Sequence, residues 1–392
     1  MNRRGAVLLA GVLLALSVAY TGLGLASLVV DVGSSFPIDL RLRWTEERLL
    51  WNRIDPQTAG HPDPGLPPSH AGAKNIGGGY PPWAYAFGLL LAPPIPWPLV
   101  RWYAMLLNAG ALGILCAWAY ARTRRYGSVW SAVAIGSALA VFPIAICLSY
   151  GQYAVIITAC LAAVDLLLER RTMQADAFAG VLLGMAVVKP QLGGLFALAV
   201  LLEGRWLTVA SCVASVAVAS GFTWLFTGSD PLTMFSKAAR EAAAFTFQSV
   251  NPLVHIAESW VGFRMATAVL GIGGLIAAFV LLLSSRSAPR VVRWSVCATV
   301  AMFWGYRKNY DVPLLVFLIV GLLLAALEHR RTVWWIAYAM VGITIWVPLR
   351  DVQWSWPAVQ WLDVVVWSFA TGLVWYGVRV APVPEASRET VT

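Results

Sequence analysis

Long apolar stretches separated by shorter polar segments recur along the whole chain. The first covers residues 5–30, and the last covers residues 358–378. Most of them match the length of about 20 residues that an α-helix needs to cross the hydrocarbon core of a bilayer. The pattern therefore predicts an all-α polytopic membrane protein. The stretches between these two lie at residues 83–120, 129–148, 150–168, 176–203, 206–227, 263–284, 294–328 and 332–349.

Polar breaks divide two of the longer stretches. Lys189-Pro190 interrupts residues 176–203, and the run from Tyr306 to Asp311 interrupts residues 294–328. Because proline lacks a backbone donor and charges are costly in hydrocarbon, each stretch is expected to form two short helices. Counted in this way, the chain has about twelve transmembrane helices. They are expected to form a single integral membrane domain that covers residues 1–392.

Composition and charge agree with this class of protein. Only 12% of the residues are charged, 59% are hydrophobic, and the mean hydropathy is +0.71. Soluble domains carry about 25% charged residues, so a soluble enzyme is excluded. Arginines gather in segments on one side of the predicted membrane, which marks the cytoplasm and places both termini there, with residues 381–392 as a short tail. Fifteen of the 28 basic residues lie on that side; of the other 13, five lie in the first external loop, more than the positive-inside tendency allows, which indicates an anionic ligand there. No nucleic-acid partner is expected.

The first external loop, residues 31–80, is too long for a simple connection between two helices. Its segment from Phe36 to Arg53 can place leucines and tryptophans on one broad face, which predicts an amphipathic interfacial helix. Asp39 lies at the start of this helix, where the N-terminal amides stabilise a carboxylate. Asp39 is therefore a candidate general base, although an acid at this position can also be a simple N-cap.

Basic residues at the breaks and in the first loop are candidate ligands for an anion. An ammonium at membrane depth costs roughly 2.5 to 3.5 kcal/mol unless it meets water or a counter-ion. Lys189 is thus expected either to contact a phosphate or sugar or to snorkel to the interface. Arg307 and Lys308 stand beside tyrosine and asparagine, which suits a phosphate clamp or a solvated turn. Arg41 and Arg43 add positive charge next to Asp39.

Five short landmarks occur in order along the chain. Asp39-Leu40 follows the first span, Tyr80-Pro81-Pro82 precedes a short apolar helix, and Gly151-Gln152 opens a span. Gly180–Phe196 contains Lys189-Pro190, and Asn309-Tyr310-Asp311 forms a late polar motif. From about residue 5 to residue 330 this order resembles that of glycosyltransferase family 87, integral membrane enzymes of the C-type fold.

The resemblance implies an inverting enzyme that transfers a hexose or pentose, above all mannose or arabinofuranose, from a polyprenyl-phosphate donor to a glycan or glycolipid acceptor. It implies that Asp39 is the catalytic base on the non-cytoplasmic face of the plasma membrane. The scheme requires no cofactor and no metal ion, and the five cysteines lie in apolar stretches without CxxC spacing. The expected ligands of the donor phosphate are Lys189, Arg307, Lys308, Arg41 and Arg43. The expected sugar or acceptor contacts are Tyr80, Gln152, Gln191, His255 and Tyr310.

Two other classes of protein fit the same pattern. A transporter or flippase for lipid-linked sugars would also use broken helices and cations at membrane depth, but such proteins often carry inverted repeats, and the sequence shows no internal repeat. A non-catalytic partner in envelope assembly would use the first external loop as a docking surface. Turnover of a polyprenyl-phosphate sugar by the isolated protein distinguishes an enzyme from both.

Overall fold

The computed structural model describes residues 3–30, 37–58, 79–245, 263–303, 308–347 and 357–380. All regular structure in these ranges is helical, as the apolar pattern predicted. Parts of the first loop, residues 31–36 and 59–78, and the tail at residues 381–392 lie outside the described residues. So do two of the predicted site residues, His255 and Arg307.

Helices form at each of the predicted apolar stretches. The N-terminal part contains α1 (Arg3–Val29), α2 (Ile38–Trp51), α3 (Pro82–Leu91), α4 (Trp97–Thr123), α5 (Ser128–Leu139), α6 (Phe142–Tyr150) and α7 (Ala154–Leu168). The middle contains α8 (Met173–Ala186), α9 (Pro190–Leu202), α10 (Trp206–Thr227) and α11 (Pro231–Phe245). The C-terminal part contains α12 (Phe263–Ser284), α13 (Arg290–Phe303), a 3-10 helix (Asn309–Leu315), α14 (Val316–His329), α15 (Thr332–Trp346) and α16 (Pro357–Val380). The sequence analysis did not predict α11.

Full-length membrane spans are fewer than the predicted crossings. Four helical segments of the described chain are long and apolar enough to cross a membrane: Arg3–Val29, Trp97–Tyr126, Trp206–Thr227 and Tyr310–His329. The pair of α5 and α6, bent by 47° at a short break, is a fifth if it is taken as one span. The other apolar helical segments of the described chain have 10–17 residues; two of them, Val269–Ser284 and Trp361–Tyr376, lie within the longer helices α12 and α16. The structure thus supports four or five spans, and the total of about twelve crossings stays a prediction.

Both predicted polar breaks separate two helices. Lys189 is the N-cap of α9, and Pro190 occupies its first turn, where a missing N–H removes no intrahelical hydrogen bond. The second break lies between α13 and the 3-10 helix that leads into α14. Each break therefore brings polar residues to the ends of apolar helices.

The centre of the bundle is α14, which packs against α13, α15 and α5. Its span is 83% buried, against 17% for α10. A helix that is apolar on all sides belongs in the interior, and α14 is such a helix. Phe317 of α14 packs edge-on against Trp118 and Trp294, with ring centroids 5.0 and 5.2 Å apart. Aromatic pairs of this kind add about 0.5 to 1.5 kcal/mol each beyond the burial of the rings.

The second helix, α2, differs from the surface helix that the sequence predicted. Leu40 and Leu50 are buried as expected, but Glu46 and Glu47 are buried as well, at 0% and 2% exposure. The helix packs against α3, α6 and α10. Gly88 of α3 permits this approach, because a Cβ there would lie 1.8 Å from Glu47 Oε1. The acidic side of α2 therefore points into the protein, while Arg48 and Trp51 of the same helix are exposed.

Candidate active site

The candidate site forms at a shared end of several helices. Both α7 and α9 begin there, and so does the 3-10 helix that starts at Asn309. Lys189 stands immediately before α9, and Gln152 stands in the corner before α7. The helix α2 lies against this end and contributes Asp39 from its first turn. Segments that are distant in sequence thus supply the polar side chains.

Asp39 is in direct contact with Gln152. The side-chain amide of Gln152 donates to Asp39 Oδ2 over 2.5 Å. Gln152 is 8% exposed, whereas Asp39 is only partly buried. A donor favours the charged form of a carboxylate, and such a bond contributes about 1.5 to 3 kcal/mol. The N-cap of α2 is Pro37, so Asp39 lies inside the helix and is not its cap.

Lys189 forms a buried ion pair with Asp311. The Lys189 Nζ atom lies 2.9 Å from Asp311 Oδ1, and the two side chains are 5% and 1% exposed. The other oxygen, Asp311 Oδ2, accepts the backbone N–H of Lys308 at 2.9 Å. The ammonium of Lys189 also lies 4.8 Å from the centre of the Tyr310 ring. Lys189 is thus buried with a counter-ion, the condition under which a charge at membrane depth is tolerated.

Arg43 and Arg41 lie on different sides of α2. Arg43 follows Asp39 by one helical turn, and its guanidinium lies 4.2 Å from the centre of the Tyr80 ring. Arg41 is rotated from Asp39 by about 200° around the helix axis. Its guanidinium lies over the Trp97 ring, 5.6 Å from the centroid. The structure therefore brings Arg43 to the Asp39 side of α2 and places Arg41 on the other side.

Glu46 and Glu47 are acids buried next to Arg43. Glu46 forms an ion pair with Arg43. Among the described residues, neither oxygen of Glu46 accepts a hydrogen bond, and the same holds for Oε2 of Glu47. Burial raises the pKa of Glu46 to about 8, Arg43 opposes this shift, and Glu241 and Asp39 add to it. Burial also raises the pKa of Glu47, and the neighbouring Glu46 adds to that shift while Arg43 opposes it.

Lys308 and Tyr80 lie within electrostatic range of Asp39. Burial lowers the pKa of Lys308, and the carboxylates of Asp39 and Asp311 oppose that change. Burial raises the pKa of Tyr80, which interacts electrostatically with both Lys189 and Asp39. Residues predicted from separate motifs therefore meet in one place. We call this group the Asp39 cluster: Asp39, Arg43, Tyr80, Gln152, Lys189, Lys308 and Asp311.

The other predicted contact residues lie at the edge of the cluster. Tyr310 is partly exposed, and its ring centroid lies 6.3 Å from that of Tyr150. Gln191 is partly buried in the first turn of α9. Asp39 and Lys308 are partly exposed, whereas Lys189 and Asp311 are buried. The cluster therefore has an accessible side, which we call its rim, and a buried side, which we call its floor.

Hydrogen bonds connect the segment after α2, residues 52–58, to Tyr80 and to the start of α11. Gln57, 2% exposed, donates its side-chain amide to Tyr80 O at 3.1 Å and to Met234 O at 3.2 Å. The Asp55 carboxylate accepts the Ser229 hydroxyl at 2.6 Å. These bonds connect the loop before α3 to α11.

An apolar groove lies beside the cluster, between α3, α10 and α11. Its volume is about 340 Å³. Trp83 stacks on Phe235 with 5.6 Å between ring centroids, and its indole N–H donates to Val187 O at 3.0 Å. Val187 shortly precedes Lys189, so the groove adjoins the polar cluster. The lining residues are Pro82, Trp83, Ser220, Pro231, Leu232 and Phe235.

Sequence reasoning missed Asp311, Glu46 and Glu47 as parts of the site. Asp311 was assigned no role of its own in its polar run, and neither glutamate was assigned a role in the predicted interfacial helix. Adjacent acids in a helix rich in leucine and tryptophan were the available signal, because acids are rarely buried unless paired. Within the described ranges, no group of three or more His, Cys, Asp or Glu side chains is arranged to hold a metal ion.

Comparison with known proteins identifies the family. A model of glycosyltransferase family 87 matches residues 79–304, more than half of the chain. Tyr80, Gln152 and Lys189 lie in this range, whereas Asp39 and Asp311 lie outside it and join the site through contacts. No curated protein and no solved structure matches the chain. Its membrane-length helices and the family match together indicate an integral membrane protein, and the chain belongs to glycosyltransferase family 87.

Proposed function

We propose that this glycosyltransferase is an inverting enzyme that moves mannose, arabinofuranose or a related sugar from a polyprenyl-phosphate donor to a glycan or glycolipid acceptor. The transfer takes place on the non-cytoplasmic face of the membrane, with Asp39 as the general base. The observation that carries the proposal is a partly exposed carboxylate that is held by Gln152 and lies close to Lys308. The reaction needs a base and a site for a departing phosphate, and the Asp39 cluster offers both.

In this scheme the acceptor hydroxyl gives its proton to a carboxylate oxygen of Asp39. The acceptor oxygen attacks the anomeric carbon of the donor sugar, and the bond from that carbon to the phosphate oxygen breaks, with both electrons going to the phosphate. Because attack and departure take place on opposite faces of the ring, the anomeric configuration inverts. The products are the glycosylated acceptor and polyprenyl phosphate, and Asp39 then releases its proton to water.

Lys308 is the first candidate for contact with the departing phosphate. It is partly exposed at the rim and lies near Asp39. Burial lowers its pKa, so a bound phosphate would favour the charged ammonium form and would itself be stabilised. This reciprocal effect increases as negative charge develops on the leaving group.

The other cations take secondary places in the proposal. Lys189 adds positive charge from the floor of the cluster, where Asp311 holds it. Arg43 lies on the same side of α2 as Asp39, and its guanidinium packs against the Tyr80 ring. Arg41 is the weakest candidate because it stacks on Trp97. Arg307 lies outside the described residues.

The remaining parts of the substrates fit the surroundings of the cluster. Tyr80, Tyr310 and Gln191 are partly exposed and offer ring faces and an amide to sugar hydroxyls. The groove at Trp83 and Phe235 adjoins the cluster and suits the isoprenoid chain, because its lining is almost entirely apolar.

The test is an assay of the purified full-length protein with radiolabelled polyprenyl-phosphate mannose and polyprenyl-phosphate arabinofuranose as donors. Octyl mannoside and a membrane-lipid extract serve as acceptors. Asp39→Asn is expected to lower kcat by about 10²- to 10⁴-fold, because the base is lost, while thermal unfolding is unchanged.

Asp230→Asn is the matched control. Asp230 also stands at the start of a helix, where its carboxylate accepts the Thr233 N–H at 2.7 Å, but it lies at an exposed position. Equal activity of Asp39→Asn and Asp230→Asn would remove Asp39 from the reaction. A wild-type protein that uses neither donor would contradict the proposed donor class.

A further inference from the structure

Gly151 and Gln152 form the corner between α6 and α7, directly against the first turn of α2. Gly151 has a φ of +69°, and its N–H donates to Leu148 O at 2.9 Å. The N–H of Gln152 donates to Cys147 O at 2.9 Å, and the Cys147 thiol donates back to Gln152 O at 3.3 Å. The end of α6 therefore holds both residues of the corner in place.

The corner touches the backbone of α2 next to Asp39. A Cβ at Gly151 would lie 2.4 Å from Leu40 Cβ and 3.2 Å from Leu40 N. Leu40 is 1% exposed and has little room to move aside. Glycine is required here both by the positive φ and by the close approach. With α2 at this distance, the Gln152 amide reaches Asp39 Oδ2.

We infer that the Gly151-Gln152 corner positions the Asp39 carboxylate: Gln152 orients it by a hydrogen bond, and Gly151 allows α2 to come close enough for that bond. The catalytic meaning of this role rests on the proposed function. It differs from the sugar-contact role that the sequence predicted for Gln152. Gln152 is 8% exposed, and its amide is engaged by Asp39, so it acts through the base and not on the sugar.

The first experiment needs no substrate. The Asp39 carboxyl group is titrated in the purified full-length protein by difference infrared spectroscopy, and Asp39→Asn identifies its band. Loss of a donor destabilises a carboxylate, so Gln152→Leu is expected to raise the midpoint by about one pH unit or more. The groups that interact electrostatically with Asp39 are the same in both proteins; they are Glu46, Tyr80 and Lys308. Arg43, one helical turn from Asp39, is also unchanged. An unchanged midpoint would overturn the inference, whatever the transfer assay gives.

Kinetics then separates positioning from sugar binding. With polyprenyl-phosphate mannose or polyprenyl-phosphate arabinofuranose as donor and octyl mannoside as acceptor, Gln152→Leu is expected to lower kcat by about 10- to 100-fold and to leave both KM values unchanged. Adding Gln152→Leu to Asp39→Asn should cause no further loss, because the group that Gln152 orients is already gone. A raised KM with unchanged kcat, or additive losses, would overturn the positioning role. Failure of the wild-type protein to use either donor would defeat the proposed function alone, because the infrared midpoint still decides whether Gln152 governs Asp39.

A pair of glycines tests the approach of α2. Gly151 and Gly228 both have a φ of +69°, so alanine strains the two backbones alike. No atom lies within 4 Å of a Cβ built at Gly228. Gly151→Ala is expected to lower kcat by at least about tenfold, whereas Gly228→Ala should keep the wild-type value. Equal values for the two variants would exclude the role of Gly151, and if Gly151→Ala does not fold, the Gln152→Leu titration decides the inference.

Discussion

Polar clusters at opposite ends of the same helices differ in how their charges are balanced. Both α7 and α9 begin at the Asp39 cluster; Asp165 lies in the last turns of α7, and Glu203 directly follows α9. Helices of this length separate the two ends by about 20 Å. We call the second group the Asp165 cluster: Asp165, Glu203, Arg122, Arg290 and Arg293.

In the Asp165 cluster each acid is matched by arginines. Asp165 oxygens lie 2.6 Å from Arg122 and 3.5 Å from Arg290. Glu203 oxygens lie 2.9 Å from Arg290 and 3.1 Å from Arg293. The network joins α4, α7 and α13 through paired charges. This is the arrangement expected where buried charges serve the fold, because an unpaired charge would be costly.

Two further acids of α2, Glu46 and Glu47, are buried beside the Asp39 cluster. Glu46 is paired with Arg43, and no ion pair of Glu47 is found within the described part of the chain. Burial raises the pKa of both glutamates. Selection for stability alone would pair or remove an unpaired buried acid such as Glu47. Together with the proposed function, this difference in ion pairing assigns catalysis to the Asp39 cluster and stability to the Asp165 cluster.

The largest expected effect on stability comes from Lys189. Lys189→Met is expected to lower the free energy of unfolding by about 3 to 5 kcal/mol, because Asp311 is left as an unpaired buried charge. Lys189→Met/Asp311→Asn should recover most of that loss, since no buried charge remains. Donor use should stay impaired in both variants, because the cation is missing from both. Thermal unfolding in detergent and donor kinetics measure the two effects, and a double variant with wild-type donor KM and kcat would assign Lys189 to the fold alone.

A smaller loss of stability is expected at the opposite end. Glu203→Gln should lower the free energy of unfolding by about 2 to 3 kcal/mol, because Arg290 and Arg293 lose a charged acceptor. The kcat/KM of the folded protein should not change, because Glu203 lies a full helix length from Asp39. A selective loss of kcat/KM in Glu203→Gln would contradict the division between the two clusters.

Replacement of Lys308 tests whether the Asp39 cluster binds the phosphate of the donor. Lys308→Met is expected to lower kcat/KM for the donor about 30-fold, the equivalent of about 2 kcal/mol, because a charge-assisted hydrogen bond is lost. Arg48→Met is the control, since Arg48 is an exposed cation of α2 that lies over the Trp44 ring. Similar donor kinetics for the two variants would indicate that Lys308 does not meet the phosphate.

The most gradual expected effect, spread over several pH units, is the pH dependence that Glu46 contributes to stability. Its pKa is raised from 4.5 to about 8 in the folded protein, so folding favours the protonated form. The stabilising contribution of Glu46 has its full value below pH 4.5. It decreases above this pH, as the carboxyl group ionises in the unfolded chain, and is lost as the pH rises through about 8. Glu46→Gln removes this loss. Between pH 4.5 and about 8, the free energy of unfolding of the variant should therefore rise relative to that of the wild type by at most about 1.4 kcal/mol per pH unit. Thermal unfolding at several pH values checks this, and a difference independent of pH would show that Glu46 is ionised in the fold.

Local pattern predicted most helices because membrane burial depends on the average polarity of a span. The helices α1 and α10 and the break at Lys189 occur where the apolar pattern placed them. The helix α11 was missed because a short amphipathic helix has no span-length apolar signal. The inward orientation of Glu46 and Glu47 was also missed, since the pattern of α2 does not reveal that α3 packs against its acidic side.

The sequence by itself determined an all-helical membrane protein with charged residues at helix breaks, because a charge in an apolar stretch is visible from its neighbours alone. Only the tertiary structure decided which of those charges meet. Lys189 and Asp311 are 122 positions apart, and Asp39 and Gln152 are 113 positions apart. Contacts over such separations depend on how helix ends approach one another in space. Packing therefore decided that the lysine has a counter-ion and that the carboxylate of α2 has a partner to orient it.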